Sequence, residues 1–375
     1  MNILVLNYEF PPLGGGAAPV SRDISFQYSR LGHKVVVLTM GYKDLPAYEV
    51  IEGAEIYRLK CWRSKKSSCM PWEQYTYLLA VKRFMRQHMK THQYDVCHTH
   101  FVIPTGAAAK WVKCKYHIPY FITAHGSDVE GHNQKVAMKV MHRILRGSWR
   151  RIVDDARWVA APSNYLKDLM EKNYPRGKYK YIPNGINWDK FHSLKEKHNK
   201  RKNILIMGRL QSFKNVQTII LALSKVDLSE WHVDILGDGP YRSELEKQVG
   251  ELRLSDKITF HGWIDNGTRE QLQIIEQASI YISASRIENC PMSVIETIAA
   301  GCYPLLSDIP AHRQLVDGDE FFFEANDADK LSELIKSGIS MIENSEGNIP
   351  DVSMYDWSNI IQKYVEVMGN EVGKG

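Results

Sequence analysis

Two acidic residues with seven residues between them carry the strongest chemical signal in the sequence. Glu288 stands just before Pro291, which is expected to open a helix, and Glu296 then falls in the second turn of that helix. Carboxylates accept hydrogen bonds, so the pair can bind several hydroxyl groups of a sugar, while the N–H groups of the helix N-terminus face whatever Glu288 binds. In the structural alternative, one Glu caps the helix and the other lies on its exposed face. The residues around the two glutamates make this purely structural interpretation the weaker one.

Two cations stand shortly after an apolar run, 204–207, that is predicted to be a strand. Arg209 follows the end of that run, and Lys214 stands at the start of the next predicted helix. Two positive charges beside a helix N-terminus suit a diphosphate group. Exposed Arg and Lys side chains near a turn are usually only solvated, so this motif alone leaves both interpretations open.

Three weaker motifs also follow predicted strands. The glycines of 14–16 would let a backbone approach a phosphate, although their spacing matches neither GxGxxG nor the Walker motif, and a flexible surface loop is an equal alternative. The segment GDGP at 237–240 is interpreted as a strand-to-helix turn. His125 ends a predicted strand and precedes Gly126, which is more suggestive than an isolated surface histidine.

The elements that must position these residues are short apolar strands alternating with helices. The predicted strands are 3–6, 35–38, 95–97, 120–123 and 158–161 in the first half, and 204–207, 233–236, 258–260, 280–283, 303–306 and 321–323 in the second. This pattern is typical of α/β folds with a parallel sheet covered on both faces. We expect two doubly wound, Rossmann-like domains facing each other, with ligands beyond the carboxyl ends of the strands, where these motifs lie.

The length also supports two domains, because a single hydrophobic core rarely exceeds about 250–300 residues and the chain has 375. The stretch 186–202 is polar and charged without usable periodicity, so it is interpreted as a linker. The expected division is an N-terminal domain over 1–185, this linker, a C-terminal domain over 203–354 and a terminal helical segment over 355–375.

Composition narrows the class of protein. The chain has 48 Lys and Arg against 43 Asp and Glu, and this net charge of +5 is too weak to indicate a nucleic-acid partner. Its longest apolar runs fall short of the ~18 residues that span a bilayer, and the N-terminus lacks the features of a signal peptide. The six cysteines are scattered, as in chains that keep them reduced, so we expect a cytoplasmic protein.

Positive charge is concentrated in one stretch of the first half. The basic residues there lie mostly three or four positions apart and therefore share one helix face; they are Lys135, Lys139, Arg143, Arg146, Arg150 and Arg151. An adjacent apolar face is formed by Val136, Val140, Met141, Ile144 and Leu145. Such a helix suits an anionic membrane surface, here the inner face of the cell membrane, while a core helix with a solvated charged face remains the alternative.

In their order, the motifs resemble glycosyltransferase family 4, a group of retaining enzymes with the two-domain GT-B fold. The resemblance covers nearly the whole chain and rests on the Gly-rich first loop, HGxD at 125–128, PNGI at 183–186, GRLxxxK at 208–214, GDGP at 237–240, FHGW at 260–263, the Glu pair and a terminal helix containing Trp357. The sequence departs from the family pattern at Asn215 and Asn289, where Gly is frequent, and at Cys290, where an aromatic residue is common.

The resemblance implies roles for the residues that match. Arg209 and Lys214 are expected to hold the donor diphosphate, Glu296 the ribose and Glu288 the hydroxyl groups of the donor sugar. His125 should lie near the C6 hydroxyl, so that Arg209, Lys214, Glu288 and His125 form the catalytic set. The other expected donor contacts are Gly15, Gly16, Gly262, Trp263, Asn289, Cys290, Pro291, Met292 and Ser293.

The function implied is transfer of a hexosyl or N-acetylhexosaminyl group from a nucleotide-diphosphate sugar to a sugar hydroxyl of a lipid-linked glycan, in bacterial polysaccharide, O-antigen or capsule synthesis. UDP-sugars are favoured over GDP-mannose as donors, no cofactor or essential metal is expected, and the terminal helix should cross back to the N-terminal domain. Two alternatives stay open. One is a sugar-nucleotide epimerase of the same architecture, and the other is a non-catalytic partner that binds nucleotide sugars.

Overall fold

The computed structural model describes residues 1–132, 136–196 and 202–372. The chain divides into two compact units. Unit 1 comprises Met1–Gly185 together with Trp357–Gly375, and unit 2 comprises Ile186–Asp356.

Unit 1 is built on an eight-stranded sheet. Its strands are β1 (Asn2–Leu6), β2 (Lys34–Met40), β3 (Tyr48–Ile51), β4 (Ala54–Leu59), β5 (Val96–His100), β6 (Tyr120–Thr123), β7 (Val159–Ala161) and β8 (Tyr179–Tyr181). They are arranged in the order β3-β4-β2-β1-β5-β6-β7-β8, and all neighbours are parallel except β3 and β4. The central strands are nearly continuous runs of buried residues because helices cover both faces.

Helices pack on the two faces of this sheet. They are α1 (Ala17–Arg30), α2 (Pro71–His88), α3 (Thr105–Tyr116), α4 (Val136–Asp155) and α5 (Asn164–Asn173). Helix α1 contributes to the apolar core on one face, and α2 to α5 contribute to the core on the other.

Unit 2 has a six-stranded, entirely parallel sheet. Its strands are β9 (Asn203–Met207), β10 (His232–Leu236), β11 (Ile258–Gly262), β12 (Ile280–Ser283), β13 (Tyr303–Ser307) and β14 (Phe322–Phe323), in the order β11-β10-β9-β12-β13-β14. Its helices are α6 (Trp188–Glu196), α7 (Val216–Leu223), α8 (Arg242–Glu251), α9 (Arg269–Gln277), α10 (Met292–Ala299), α11 (Pro310–Arg313) and α12 (Ala328–Asn344). The two parallel-sheet units confirm the predicted α/β class.

The interpretation of 186–202 as a linker is wrong for residues 186–196, while 197–201 lie outside the described residues. Residues Trp188–Glu196 form helix α6, and the structure groups this helix with unit 2. Phe191 and Leu194 are buried in the core of unit 2, and Trp188 packs against it. These apolar side chains recur every three residues on one face, but the surrounding charged residues hide the pattern in the sequence.

The terminal helix α13 (Trp357–Val372) returns to unit 1, as predicted. Ile360, Ile361 and Tyr364 are buried in the same core as α1. At the start of α13, the Trp357 ring lies against Gly185 so closely that a Cβ on this glycine would come within 2.6 Å of a ring carbon. Gly185, the third residue of the PNGI motif at 183–186, therefore leaves the space in which this helix packs.

Three strands were missed by the sequence analysis, namely β3, β4 and β8. Strand β8 has only three residues, and β3 is largely exposed, so neither carries a clear apolar signal. Strands β3 and β4 form a hairpin whose turn is Glu52 and Gly53, both with positive φ. Within the described part of the chain, no helix has the length and apolar character needed to cross a membrane.

Candidate functional site

The carboxyl ends of β9 and β10 in unit 2 lie against each other through glycine backbone. Gly237 has φ +143°, and a Cβ on it would lie 1.9 Å from the carbonyl oxygen of Gly208. A Cβ on Gly239 would likewise lie 2.3 Å from the carbonyl of Leu210. The GDGP segment is thus a turn, as interpreted. It also packs directly against the loop at 208–210, because only glycine lets the two backbones come this close.

Lys214 and Glu288 meet at this edge of the sheet. Lys214 ends a short 3-10 turn after β9, and its ammonium group forms an ion pair with the Oε1 atom of Glu288. The Ser285 hydroxyl, which follows β12, donates to the same oxygen over 2.7 Å. The two side chains retain only 20% and 13% exposure, so the loops after β9 and β12 join in a sheltered ion pair.

The electrostatics of this pair keep Glu288 charged. Burial raises the pKa of Glu288, but the positive charge of Lys214 and the hydrogen bonds from Lys214 and Ser285 outweigh it, so the net shift is downward. A lysine fixed by a charged carboxylate is a preorganised cation at the end of a parallel sheet. Such a cation can stabilise negative charge on a phosphate.

Asn215 explains one departure from the family pattern. It is fully buried with φ +55°, a conformation that glycine adopts freely and asparagine tolerates better than most residues. Its side-chain oxygen accepts hydrogen bonds from Arg286 at 2.9 Å and from Thr218 at 3.1 Å, and its amide donates to the carbonyl of Ala325. Asn215 therefore adopts the positive φ that this position requires. Its hydrogen bonds also connect the turn of Lys214 to the loop that carries Glu288.

Helix α10 begins beside Glu288, with Pro291 as its N-cap residue. Glu296 lies within this helix and is buried, while Asn289, Cys290, Met292 and Ser293 are half-buried around its start. The Ser293 hydroxyl accepts a hydrogen bond from the buried Tyr281 at 2.9 Å. The predicted donor-binding residues of 288–296 are thus gathered at one helix N-terminus.

Arg209 follows β9, and Gly262 and Trp263 lie at the end of β11 in the same sheet. Arg209 is exposed after β9, and among the contacts of the described residues none joins it to Lys214 or Glu288. Gly262, with φ +74°, accepts a hydrogen bond from the Gly237 N–H at 2.8 Å, which fixes the loop that follows β11. The Trp263 ring is 63% exposed next to it, and so it offers a free aromatic face.

In unit 1, the Gly-rich loop leads into α1. Gly14 has φ +102° and is crowded by Glu9, whereas a Cβ on Gly15 or Gly16 would meet nothing within 4 Å. The Gly15 N–H donates to Glu9 at 3.2 Å, and Gly16 is the N-cap residue of α1. Only Gly14 is required by the local backbone, so the other two leave open space in front of a helix N-terminus.

His125 is half-buried just after β6 and adjoins two fully buried histidines of β5, His98 and His100. It is joined by a 3.0 Å hydrogen bond to His100, which stacks on His98. Burial lowers the pKa of His125 to about 3, so its imidazole is neutral at physiological pH. Asp128 accepts hydrogen bonds from the N–H groups of His125 and Val102, so this carboxylate orients the His125 loop.

His100 is a positioning partner that the sequence analysis did not assign. The signal was present, because His98 and His100 point to the same face of a strand and β6 is the parallel neighbour of β5. His98 is itself held by Tyr28 and Thr123. In the described residues, no group of three or more His, Cys, Asp or Glu side chains is arranged to hold a metal ion.

The predicted membrane face can be compared with α4. Lys139, Arg143, Arg146 and Arg150 are exposed, and Lys135 lies outside the described residues. Arg146 pairs with Glu130, at 2.9 Å between Nε and Oε2. The predicted apolar face is split: Met141 and Leu145 turn inward, whereas other members remain 76% (Val136), 54% (Val140) and 76% (Ile144) exposed. An ordinary core helix would bury these three side chains.

Two family models match consecutive parts of the chain. The model of "Glycosyltransferase Family 4" matches residues 14–190, and the model of "Glycosyl transferases group 1" matches residues 189–346. An alpha-monoglucosyldiacylglycerol synthase of Streptococcus pneumoniae is 25% identical over 83% of this chain and 72% of the relative. A GDP-mannose:cellobiosyl-diphosphopolyprenol alpha-mannosyltransferase of Xanthomonas oryzae is 21% identical over 100% of this chain and 98% of its own.

Solved structures share the fold. The sucrose-phosphate synthase of Thermosynechococcus elongatus aligns over 100% of both chains with a TM-score of 0.77 and 17% identity. HepE of Anabaena, solved in complex with UDP and glucose, aligns over 98% of this chain and 99% of its own, with a TM-score of 0.74 and 16% identity. These proteins are GT-B glycosyltransferases.

Proposed function

The chain belongs to glycosyltransferase family 4, and from this premise we propose that it transfers a hexosyl or N-acetylhexosaminyl group from a nucleotide-diphosphate sugar to a hydroxyl of a lipid-linked glycan. The observation that carries the proposal is the sheltered pair of Lys214 and Glu288 at the strand ends of unit 2. HepE, which shares the fold, is solved with UDP and glucose, and this supports a UDP-sugar as the favoured donor, with GDP-mannose as the other candidate.

In the proposed donor complex, Lys214 and Arg209 face the diphosphate and Glu288 faces the sugar. The bond between the anomeric carbon and the diphosphate oxygen breaks, so negative charge grows on the leaving phosphate. The fixed positive charge of Lys214 stabilises this growing negative charge without further reorganisation, and this is the main catalytic contribution we assign. Glu296 binds the ribose, and Gly262 with Trp263 receives the base.

We assign no general base. In the proposed retaining reaction, the acceptor hydroxyl attacks on the face that the diphosphate leaves, a new bond forms between its oxygen and the anomeric carbon, and its proton passes to the departing phosphate oxygen. The neutral imidazole of His125 contributes a hydrogen bond to the sugar and no charge. The reaction needs no metal in this proposal, because Lys214 and Arg209 supply the positive charge.

The acceptor side of the proposal rests on unit 1 and on the relatives. Two relatives carry names with lipids: one is a synthase of alpha-monoglucosyldiacylglycerol, and the other is a mannosyltransferase that acts on cellobiosyl-diphosphopolyprenol. Helix α4 exposes apolar side chains beside Lys139 and Arg143, which suits binding to an anionic membrane surface.

A panel of nucleotide sugars tests the donor. A ligand that binds only the folded state raises its melting temperature, so a UDP-sugar should shift Tm in a thermal-shift assay. Incubation of that sugar without acceptor should leave it unchanged. Formation of an epimer would instead favour the epimerase alternative, and binding without transfer to any lipid acceptor would favour a non-catalytic partner.

A further inference from the structure

Unit 1 contains a cavity of about 560 Å³ that none of the roles above uses. It lies between α2, the beginning of α3 and the inner face of α4, and its size is that of a small-molecule pocket. Its wall is predominantly apolar and includes Leu78, Ala107, Met141, Leu145 and Ile152. The cavity is therefore large enough for a ligand and suited to an apolar one.

The polar groups around this cavity are largely engaged with one another. The Trp149 Nε1–H donates to the carbonyl of Asp128 at 2.9 Å, and His142 Nε2 donates to the carbonyl of Ser127 at 3.1 Å. Arg146, at the same wall, is paired with Glu130. Among the described residues the buried His142 Nδ1 has no hydrogen-bond partner, but the other groups named here are engaged, so binding is driven mainly by burial of apolar surface.

Both α2 and α4, which line the cavity, also carry exposed apolar side chains. On α4, the face opposite to the cavity carries Val136, Val140 and Ile144, one turn apart. On α2, Trp72 and Leu79 are exposed next to residues of the cavity wall. Several exposed apolar groups on one helix face mark an interaction surface, as for the three on α4.

The charged side chains on α4 indicate which kind of partner this surface binds. Lys139, Arg143, Arg150 and Arg151 are exposed alongside the three apolar residues. Cations interleaved with apolar and aromatic groups complement the anionic headgroups and the hydrocarbon boundary of a membrane, whereas a second copy of this chain would bring like charges together.

We propose that the cavity between α2 and α4 binds a hydrocarbon chain of the acceptor lipid, taken from an anionic membrane on which α4 rests. The inference rests on the proposed function and deepens it by naming where the lipid is held. Ser127 and Asp128 belong both to the cavity wall and to the loop of His125. A chain held in the cavity therefore places its headgroup sugar near His125.

Photo-crosslinking tests this directly in the full-length protein. The probe is a phosphatidylglycerol whose hexadecanoyl chain carries a terminal diazirine, incorporated into vesicles of phosphatidylglycerol and phosphatidylcholine. After irradiation, mass spectrometry should find crosslinks on cavity residues such as Leu78, Met141 and Leu145. Crosslinks confined to Val136, Val140 and Ile144, or their absence, would overturn the proposal.

Two neighbouring residues on α4 give a matched control. Leu145→Gln places an amide in the cavity wall and should abolish the cavity crosslinks while binding to vesicles persists. Ile144→Gln changes the exposed face and should weaken vesicle binding while the remaining bound protein still crosslinks in the cavity. Ala107→Trp, on α3, fills the cavity from another side and should also abolish the crosslinks if its melting temperature matches the wild type.

The outcome separates this inference from the proposed function. A Tm shift by UDP-sugars without cavity crosslinks would contradict only the lipid pocket. Cavity crosslinks without binding of any nucleotide sugar would contradict the transferase proposal and leave a lipid-binding protein. Crosslinks that survive in both Leu145→Gln and Ala107→Trp would show that the chain lies elsewhere and would overturn the inference.

Discussion

Lys214 is the residue on which the proposed catalysis depends most. Replacing it by Ala removes the cation that faces the leaving diphosphate and leaves Glu288 without its main counter-charge. We expect kcat for sugar transfer to fall by about 10²–10³, or roughly 2.7–4 kcal/mol, as for loss of a comparable transition-state stabiliser. The measurement is the rate of nucleoside diphosphate release at saturating donor.

A lysine elsewhere in unit 2 provides the control. Lys225 forms an exposed ion pair with Asp329, and Lys225→Ala should leave kcat within about twofold because surface pairs contribute little. Equal rates for the wild type, Lys214→Ala and Lys225→Ala would contradict the role of Lys214.

Asn215 gives a prediction about stability. Gly and Ala both remove its buried hydrogen bonds, but only Ala is strained at φ +55°. Asn215→Ala should therefore be less stable than Asn215→Gly by about 1 kcal/mol in the free energy of unfolding. Urea denaturation of the two variants measures the difference, and equal midpoints would show that the backbone here relaxes freely.

At the scale of elements, the adjacent ends of β5 and β6 create a pH dependence. Burial holds the pKa values of His98, His100 and His125 below the ordinary value, so the unfolded chain binds protons that the folded chain does not. This contribution is fully present above about pH 6.5 and is lost as the pH falls toward the lowered values, with a slope of about 1.4 kcal/mol per pH unit for each histidine.

The variant His100→Gln tests this contribution. It removes one titrating group, so the decline in the free energy of unfolding between about pH 6 and pH 5 should be shallower than in the wild type by about one such slope. Urea unfolding across this range is the measurement. Parallel curves for the two proteins would mean that His100 is protonated in the folded state, against the direction of its pKa shift.

Much of the fold follows from short-range patterns, and the exceptions have physical causes. The apolar runs at 120–123 and 280–283 coincide with β6 and β12 because both strands are buried on both faces. Helix α6 was mistaken for a linker because its charged residues outnumber the apolar ones that dock it. The exposed strand β3 is specified by its pairing with β4 and carries little apolar pattern of its own.

The site likewise has features that the sequence predicts and others that it does not. Glu288, Lys214 and the start of α10 are predictable because each follows a strand of one parallel sheet, which brings their loops to one edge. The ion pair itself, and the hydrogen bond between His100 and His125, join residues 74 and 25 positions apart. Such contacts depend on side-chain packing that no local pattern encodes.

In the proposed function, the whole molecule acts in contact with a membrane. Reversing charge with the double variant Lys139→Glu and Arg143→Glu should greatly reduce sedimentation with anionic vesicles, because each cation near such a surface is worth about 1 kcal/mol. The double variant Lys247→Glu and Lys336→Glu alters exposed lysines on α8 and α12 by the same net charge and should sediment like the wild type. Equal loss in both variants would indicate only a nonspecific charge effect.

The most direct test of the central claim is transfer of labelled sugar. The wild-type protein is incubated with radiolabelled UDP-sugars and GDP-mannose together with a bacterial lipid extract, and label is counted in the lipid fraction alongside released nucleoside diphosphate. We predict that one donor gives equal amounts of lipid-linked sugar and nucleoside diphosphate. Donors that remain intact, or that turn into epimers without label reaching any lipid, would contradict the assignment as a glycosyltransferase acting on a lipid-linked acceptor.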